Sequence, residues 1–301
     1  MRSKPFPTIS ASPSWRTMNQ TRRIGGHVST NGGINNAIDN TLAIGGNCLQ
    51  IFAGSPRMWT RSPYPKGITE TFKARIAELN LNPVFIHTLY LTNLASDNLD
   101  LVVKSKNALT MDMKNGAAIG AAGVILHLGS HQGRGWESVR EQVIAEIKDV
   151  LNNTPKDSIL ILENDAGQNG KIGSLPELCE ILGSIPSDRL KVCLDTAHTH
   201  EGDDYDLTTV DGLNKWISDI EKYIGWDKLA VLHLNDSKTV HGSHRDQHEN
   251  IGEGEIGQDG MRRLLNHPKL IHLPLILEVP GFDKTGPDKR NIDIVKSLIK
   301  N

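Results

Sequence analysis

The sequence predicts a single-domain α/β protein, a (β/α)8 TIM barrel, and three observations carry that prediction. Eight short, nearly continuous apolar runs alternate with eight longer helical patterns. No linker, internal repeat or shift in composition divides them. The chain has 301 residues, 38% hydrophobic and 23% charged, enough to bury one large core. Strands that are apolar on both faces belong to parallel sheets, and strict alternation with helices closes such a sheet into a barrel.

In chain order the strand candidates are Ile24–Ser29, Asn47–Ala53, Pro83–Thr88 and Gly123–Gly129, then Ser158–Asn164, Leu190–Thr196, Leu229–Asp236 and Pro274–Pro280. Most are rich in Val, Ile and Leu and too short for an ordinary helix. The helical patterns are Ile34–Ala43, Glu70–Leu79, Leu99–Ala122, Trp136–Leu151, Leu175–Leu182, Leu207–Ile224, Gln258–Leu265 and Asn291–Ile299. Ser174 before Leu175-Pro176, with Glu177 three residues on, reads as a capping box that starts the fifth helix. Residues 1–23 are basic, rich in Ser and Pro, and free of acidic side chains. They lack the apolar stretch of a secretory signal, and Pro5, Pro7 and Pro13 disfavour an amphipathic transit helix. They read as a disordered tail ahead of a barrel domain at 24–301, with Met18 as an alternative start.

The formal net charge of -2 gives no general affinity for nucleic acid, so any DNA binding must rest on local features or on bound cations. Cys48, Cys179 and Cys193 are odd in number and lack CxxC spacing. They read as reduced thiols of an intracellular protein, neither disulfides nor zinc ligands. No apolar run reaches the length of a membrane span. A cytoplasmic protein without a membrane partner is expected, with mitochondrial or nuclear placement left open for a eukaryotic source.

Functional groups of such barrels gather where the strands end. Here the third run ends in His87, the fourth in His127, the fifth in Glu163, the sixth in Asp195, the seventh in His233 and the eighth in Glu278. One histidine at a strand end is as readily a hydrogen-bonded structural residue as a ligand. Six such residues around one mouth are not, because converging carboxylates repel and no Lys or Arg run stands ready to neutralise them. Divalent metal is the simplest answer. His198, three residues after Asp195, and the pair Asp246 and His248 bring the set to five imidazoles and four carboxylates. One zinc takes three or four protein ligands, so this set implies more than one ion. Imidazole with carboxylate suits zinc, manganese or iron better than magnesium or calcium.

Several segments carry a specific resemblance. HTLYLTNLA from His87, VCLDTAH across Val192–His198, HLNDSK across His233–Lys238, GSHRDQHENIGEGEIG across Gly242–Gly257 and the opening IGGHVSTNGG occur in order. Together they resemble the family 2 apurinic/apyrimidinic endonucleases, the endonuclease IV type, from Ile24 to about Pro280. The resemblance implies three zinc ions. His87, His127 and Glu163 would hold the first. Glu163 as a bridge, with Asp195, His233 and Glu278, would hold the second, and His198, Asp246 and His248 the third. It further implies a zinc-dependent hydrolase of base excision repair that cuts double-stranded DNA 5′ to an abasic site. The products would be a 3′-hydroxyl and a 5′-deoxyribose phosphate, and 3′-blocked ends would be cleaned by the same site. Glu163 would be the catalytic carboxylate, with manganese or iron able to replace zinc, and the protein would act as a monomer.

Tyr90 is a candidate to stack in damaged DNA, against an alternative of ordinary core packing. Arg57 is a candidate phosphate contact, against a solvated surface residue. Lys238 and Arg245, with Ser130, His131 and His244, are weaker candidates of the same kind, whereas His241, His267 and His272 read as surface or packing residues. The sequence departs from the family at Gln247, where Asp-Arg-His is usual, and also at Leu128, Val279 and Ser55. No proposed ligand is missing. Two rivals share parts of the pattern: a sugar isomerase or epimerase, which needs Glu163, Asp195, His233 and Glu278 alone, and a barrel that binds damaged DNA without cutting it.

Overall fold

The computed structural model describes residues 22–300, and the expected tail up to residue 21 lies outside them. Eight parallel strands close into a barrel. They are β1 (Ile24–His27), β2 (Cys48–Phe52), β3 (Val84–His87), β4 (Gly123–Leu126), β5 (Leu160–Glu163), β6 (Leu190–Asp195), β7 (Leu229–His233) and β10 (Leu275–Leu277). Between β7 and β10 a small antiparallel hairpin, β8 (Asp236–Ser237) with β9 (His248–Glu249), stands on the barrel mouth.

The outer layer consists of α1 (Asn36–Ala43), α2 (Lys66–Glu78), α3 (Leu99–Ile119), α4 (Trp136–Asn152), α5 (Leu175–Ser184), α7 (Val210–Asp219), α8 (Gly257–Leu265) and α9 (Lys289–Leu298). A π-helical turn, Ile220–Ile224, prolongs α7. Ser174 and Glu177 form the expected capping box on α5. The unforeseen helix is α6 (Thr196–Glu201), six residues that begin as β6 ends. No described helix is long and apolar enough to cross a membrane.

Inside the barrel, Cys48, Phe85, Ile125, Ile161, Cys193, Val231 and Ile276 form one buried apolar plug. Side chains on a strand alternate between faces, so the residue two places further on points the same way. Applied to those seven positions, the rule gives Gln50, His87, His127, Glu163, Asp195, His233 and Glu278. An apolar layer therefore carries a polar layer directly above it, at the C-terminal rim. In β1 the equivalent positions are Gly25 and His27. A Cβ on Gly25 would lie 1.8 Å from the Cys48 carbonyl oxygen, so only glycine lets β1 close here.

Arg22 and Arg23, assigned to the tail from sequence, are tied to the barrel. The Leu275 amide donates to the Arg23 carbonyl at 2.9 Å, and the Arg22 guanidinium donates to the carbonyls of Leu265 and Leu270.

Candidate metal centre at the mouth of the barrel

Glu163, at the end of β5, is fully buried and lies among imidazoles. Its Oε2 lies 3.1 Å from His87 Nε2 and 3.2 Å from His127 Nε2, and its Oε1 lies 2.7 Å from His233 Nδ1. Glu278 Oε2 approaches the same His233 nitrogen at 3.2 Å, and Asp195 Oδ2 lies 3.9 Å from it. On the other side, His198 Nε2 is 3.1 Å from Asp246 Oδ1, and His248 Nε2 is 3.6 Å from Asp195 Oδ2 and 3.8 Å from Asp246 Oδ1. All nine residues singled out as metal ligands thus meet in one cluster.

The cluster divides into overlapping groups whose ligand atoms lie within 4.8 Å of one another: His87, His127 and Glu163; Glu163, Asp195, His233 and Glu278; and Asp195, His198 and His248. The first two are the expected triad and tetrad. In the third, Asp195 stands where Asp246 was expected. Asp246 turns one oxygen to His198 and gives the other to Lys171 Nζ at 2.9 Å. Cys193 also approaches Glu163 and His233 within 4.8 Å. Burial pushes its thiol up to about 12, so it is a neutral apolar filler and a poor ligand.

The imidazoles are oriented from behind. His87 Nδ1 pairs with the Thr88 carbonyl at 2.7 Å, His198 Nδ1 with the Asn164 carbonyl at 3.0 Å and His248 Nδ1 with the Glu278 carbonyl at 3.3 Å. His233 Nε2 faces Gln50 Oε1 at 2.8 Å, and His127 Nδ1 lies 3.4 Å from Asp165 Oδ2. The acceptors behind His87, His198, His233 and His248 fix the N–H on that side and leave the opposite nitrogen bare towards the carboxylates, as metal-binding histidines require. His198 Nε2 and His248 Nε2 are buried without a hydrogen-bond partner among the described residues. Oriented lone pairs, orphaned buried nitrogens and an imidazole–carboxylate donor set all fit a centre of several divalent cations.

The electrostatics follow from this packing. Burial alone would raise Glu163 and Glu278, but His127 and His233 around the first, and His233 and His27 around the second, hold both well below the usual carboxylate range. Burial likewise opposes charge on His198, yet Asp195 and Asp246 raise it well above an ordinary imidazole.

Asp195 also builds the backbone of the site. Its Oδ1 accepts from the amides of Ala197 (2.7 Å) and His198 (3.1 Å), capping α6, while its Oδ2 accepts from Asn235 Nδ2 at 2.6 Å. The glycine-rich run after β9 wraps Asp236, whose carboxylate accepts from the amides of Ser237, Gly252, Gly254, Ile256 and Gly257 at 2.8–3.3 Å. That knot anchors the hairpin carrying Asp246 and His248.

A cleft of about 610 Å³ opens over the cluster, lined among others by His87, Tyr90, His127, Lys171, Asp246 and Glu278. Tyr90 is 68% exposed and meets Phe52 edge-on, with ring centroids 5.2 Å apart, so it is a rim residue and not part of the core. Arg57, Lys238 and Arg245 are exposed on loops outside the cluster. His131 and His244 are engaged structurally: His131 Nδ1 accepts from the amides of Gly133 and Gly135, and His244 Nδ1 pairs with the Ala166 carbonyl. Sequence reasoning missed His27, Gln50, Asp165 and Lys171. The first two were within reach of the two-residue alternation; nothing in the order of residues announces the others.

Known proteins resemble this chain in sequence and in fold. Residues 38–299 match the family model described as xylose isomerase-like TIM barrel. A relative from Halothermothrix orenii, named "Probable endonuclease 4", is 39% identical over 278 residues, 92% of this chain and 99% of its own. The crystal structure of endonuclease IV from Thermus thermophilus superposes with a TM-score of 0.80 at 30% identity, covering 92% of this chain and 98% of that one. A D-tagatose 3-epimerase-like protein, 15% identical with a TM-score of 0.67, covers 92% of this chain and 95% of its own, and shares the fold alone. Identity of this extent to the endonuclease 4 relative places the chain in the endonuclease IV family, the family 2 apurinic/apyrimidinic endonucleases, hydrolytic nucleases of DNA repair.

Proposed function

We propose that the protein is a zinc-dependent endonuclease that hydrolyses the phosphodiester 5′ to abasic sites in double-stranded DNA. It leaves a 3′-hydroxyl and a 5′-deoxyribose phosphate, and removes 3′-phosphates and sugar fragments with the same groups. The observation that carries this reading is the convergence of five imidazoles, four of them hydrogen-bonded from behind, on four carboxylates beneath an open cleft.

His87, His127 and Glu163 would hold one ion, Glu163 with Asp195, His233 and Glu278 a second, and His198, Asp246 and His248 a third. Manganese or iron can replace zinc. Bound there, the ions would supply charge to neutralise phosphate and to lower the pKa of a water towards neutrality. Glu163 faces different imidazoles with its two oxygens, so it would contribute to both of the first two ligand sets and could take up a proton from water. Tyr90, held at the rim by Phe52, fills the space left by the missing base. Arg57, Lys238 and Arg245 contact phosphates, and the baseless nucleotide is turned towards the cleft at lower cost than a paired one. The protein works as a monomer.

Elemental analysis joined to an abasic-oligonucleotide nicking assay tests the proposal. Nine ligands at three or four per ion predict about three zinc ions per chain. Glu163→Gln is expected to lower nicking by about 10³-fold, the scale of a lost proton acceptor. A zinc-loaded native protein that leaves the abasic duplex whole while turning over ketoses makes it an epimerase; binding without nicking makes it a damage-binding barrel.

A further inference from the structure

Lys171 has no role in the reading above, yet its ammonium lies inside the centre. Nζ is 2.9 Å from Asp246 Oδ2 and 3.2 Å from Asp165 Oδ2, and the side chain lines the cleft. The other oxygen of Asp246 faces His198, so only one carboxylate separates Lys171 from the third group of ligands. The backbone around it is fixed. Lys171 bridges to Ser130, the Ile172 amide donates to the Gly129 carbonyl at 2.9 Å, and the Ser130 hydroxyl donates to the Asn169 carbonyl at 2.6 Å.

An ammonium has three N–H donors. Asp246 takes one, Asp165 stands 3.2 Å away as an ion-pair partner, and the side chain, 32% exposed, keeps donor capacity towards the cleft. Asp165 is buried beneath it and also faces His127 Nδ1. A lysine held from below by a buried carboxylate, with one donor free towards solvent, is arranged to receive an anion. The neighbouring Gln247 is neutral and exposed, so the segment from Asp246 to His248 supplies no cation of its own.

We propose that Lys171 is a substrate-binding residue that contacts a DNA phosphate beside the His198–Asp246–His248 ligands, a proposal that rests on the endonuclease reading. Asp165 holds its ammonium in place. Asp246 divides its two oxygens between His198 and the lysine, and the ammonium keeps an exposed side towards incoming DNA.

The test measures anisotropy binding of the nicked product duplex (3′-hydroxyl and 5′-deoxyribose phosphate) across a KCl series. It uses the zinc-loaded native protein, Lys171→Gln and Lys171→Arg, with zinc content and thermal melting of each recorded alongside. Loss of one charged phosphate contact predicts about tenfold weaker binding for Lys171→Gln at low salt. It also predicts a slope of log Kd against log[KCl] smaller by about one, with zinc content unchanged. Lys171→Arg keeps the slope. A Lys171→Gln protein with native affinity and slope overturns the proposal. So does one that loses zinc but keeps the slope, since Lys171 would then only tether Asp246. If the native protein fails to nick an abasic duplex, the parent reading falls; if it nicks and Lys171→Gln binds as before, this inference falls alone.

Discussion

Gln50 shows how an uncharged side chain governs a charged site. Fully buried in β2, it accepts from His233 Nε2 at 2.8 Å and donates to Glu278 Oε1 at 2.6 Å. It therefore fixes which nitrogen of His233 faces Glu163. Gln50→Leu removes that acceptor and lets the ring change tautomer. The loss of such a partner is expected to weaken zinc binding by about ten- to a hundredfold, read by chelator competition; an unaltered affinity would count against the role. Charged residues at strand ends were legible because carboxylates and imidazoles there are costly without a purpose. Gln50 was not, because a lone amide in an apolar run has many ordinary explanations. Lys171 was hidden for another reason, since its two acidic partners lie 6 and 75 residues away, at Asp165 and Asp246.

Among the elements, the barrel strands were legible because burial on both faces leaves a run of branched apolar residues that no loop needs. Their ends were less so: the seventh run, read as Leu229–Asp236, contains both β7 and the start of the hairpin strand β8. Helix α6 escaped notice because six residues are too few to show a helical period and because Asp195 is both its cap and a strand end. Helix α3 has a second task besides covering the sheet. Its Asp112 accepts from Arg61 Nε at 3.0 Å, and Arg61 Nη1 donates to the carbonyls of Ser55 and Met58 at 2.9 Å each, fixing the loop that carries Arg57. Burial pushes the Asp112 carboxyl up from 3.8 to about 7, against the pull of Arg61. The folded chain therefore retains a proton there that the unfolded chain releases, and the sign is fixed. This contribution to stability is complete below 3.8 and lost as pH rises through about 7. Asp112→Asn, which cannot titrate, should flatten that fall in urea denaturation across the same pH range. An unchanged pH profile would show that Asp112 is already ionised in the fold.

At the scale of the molecule, four carboxylates brought to one mouth make the fold and its ions interdependent. Ions that bind only the folded chain, at a thousand times their Kd, add about 4 kcal/mol, roughly 10 °C in a chain of this size. Chelation should lower the calorimetric melting temperature by that order and zinc should restore it; superimposable curves would argue against a metal centre. The closed barrel itself was legible from the count and order of runs, whereas the hairpin on its mouth was not, since strands of two polar residues leave no pattern. Closure also joins the extremes of the chain: Ile24 is in register with Leu275, and Gly26 with Leu277. During translation at roughly 5–20 residues per second, the first strand must wait tens of seconds for its final neighbour to leave the ribosome. Until then the nascent sheet has two open edges, the kind of surface that recruits stray strands. The seam between the first and last strands thus makes barrel closure wait until the last strand has been made.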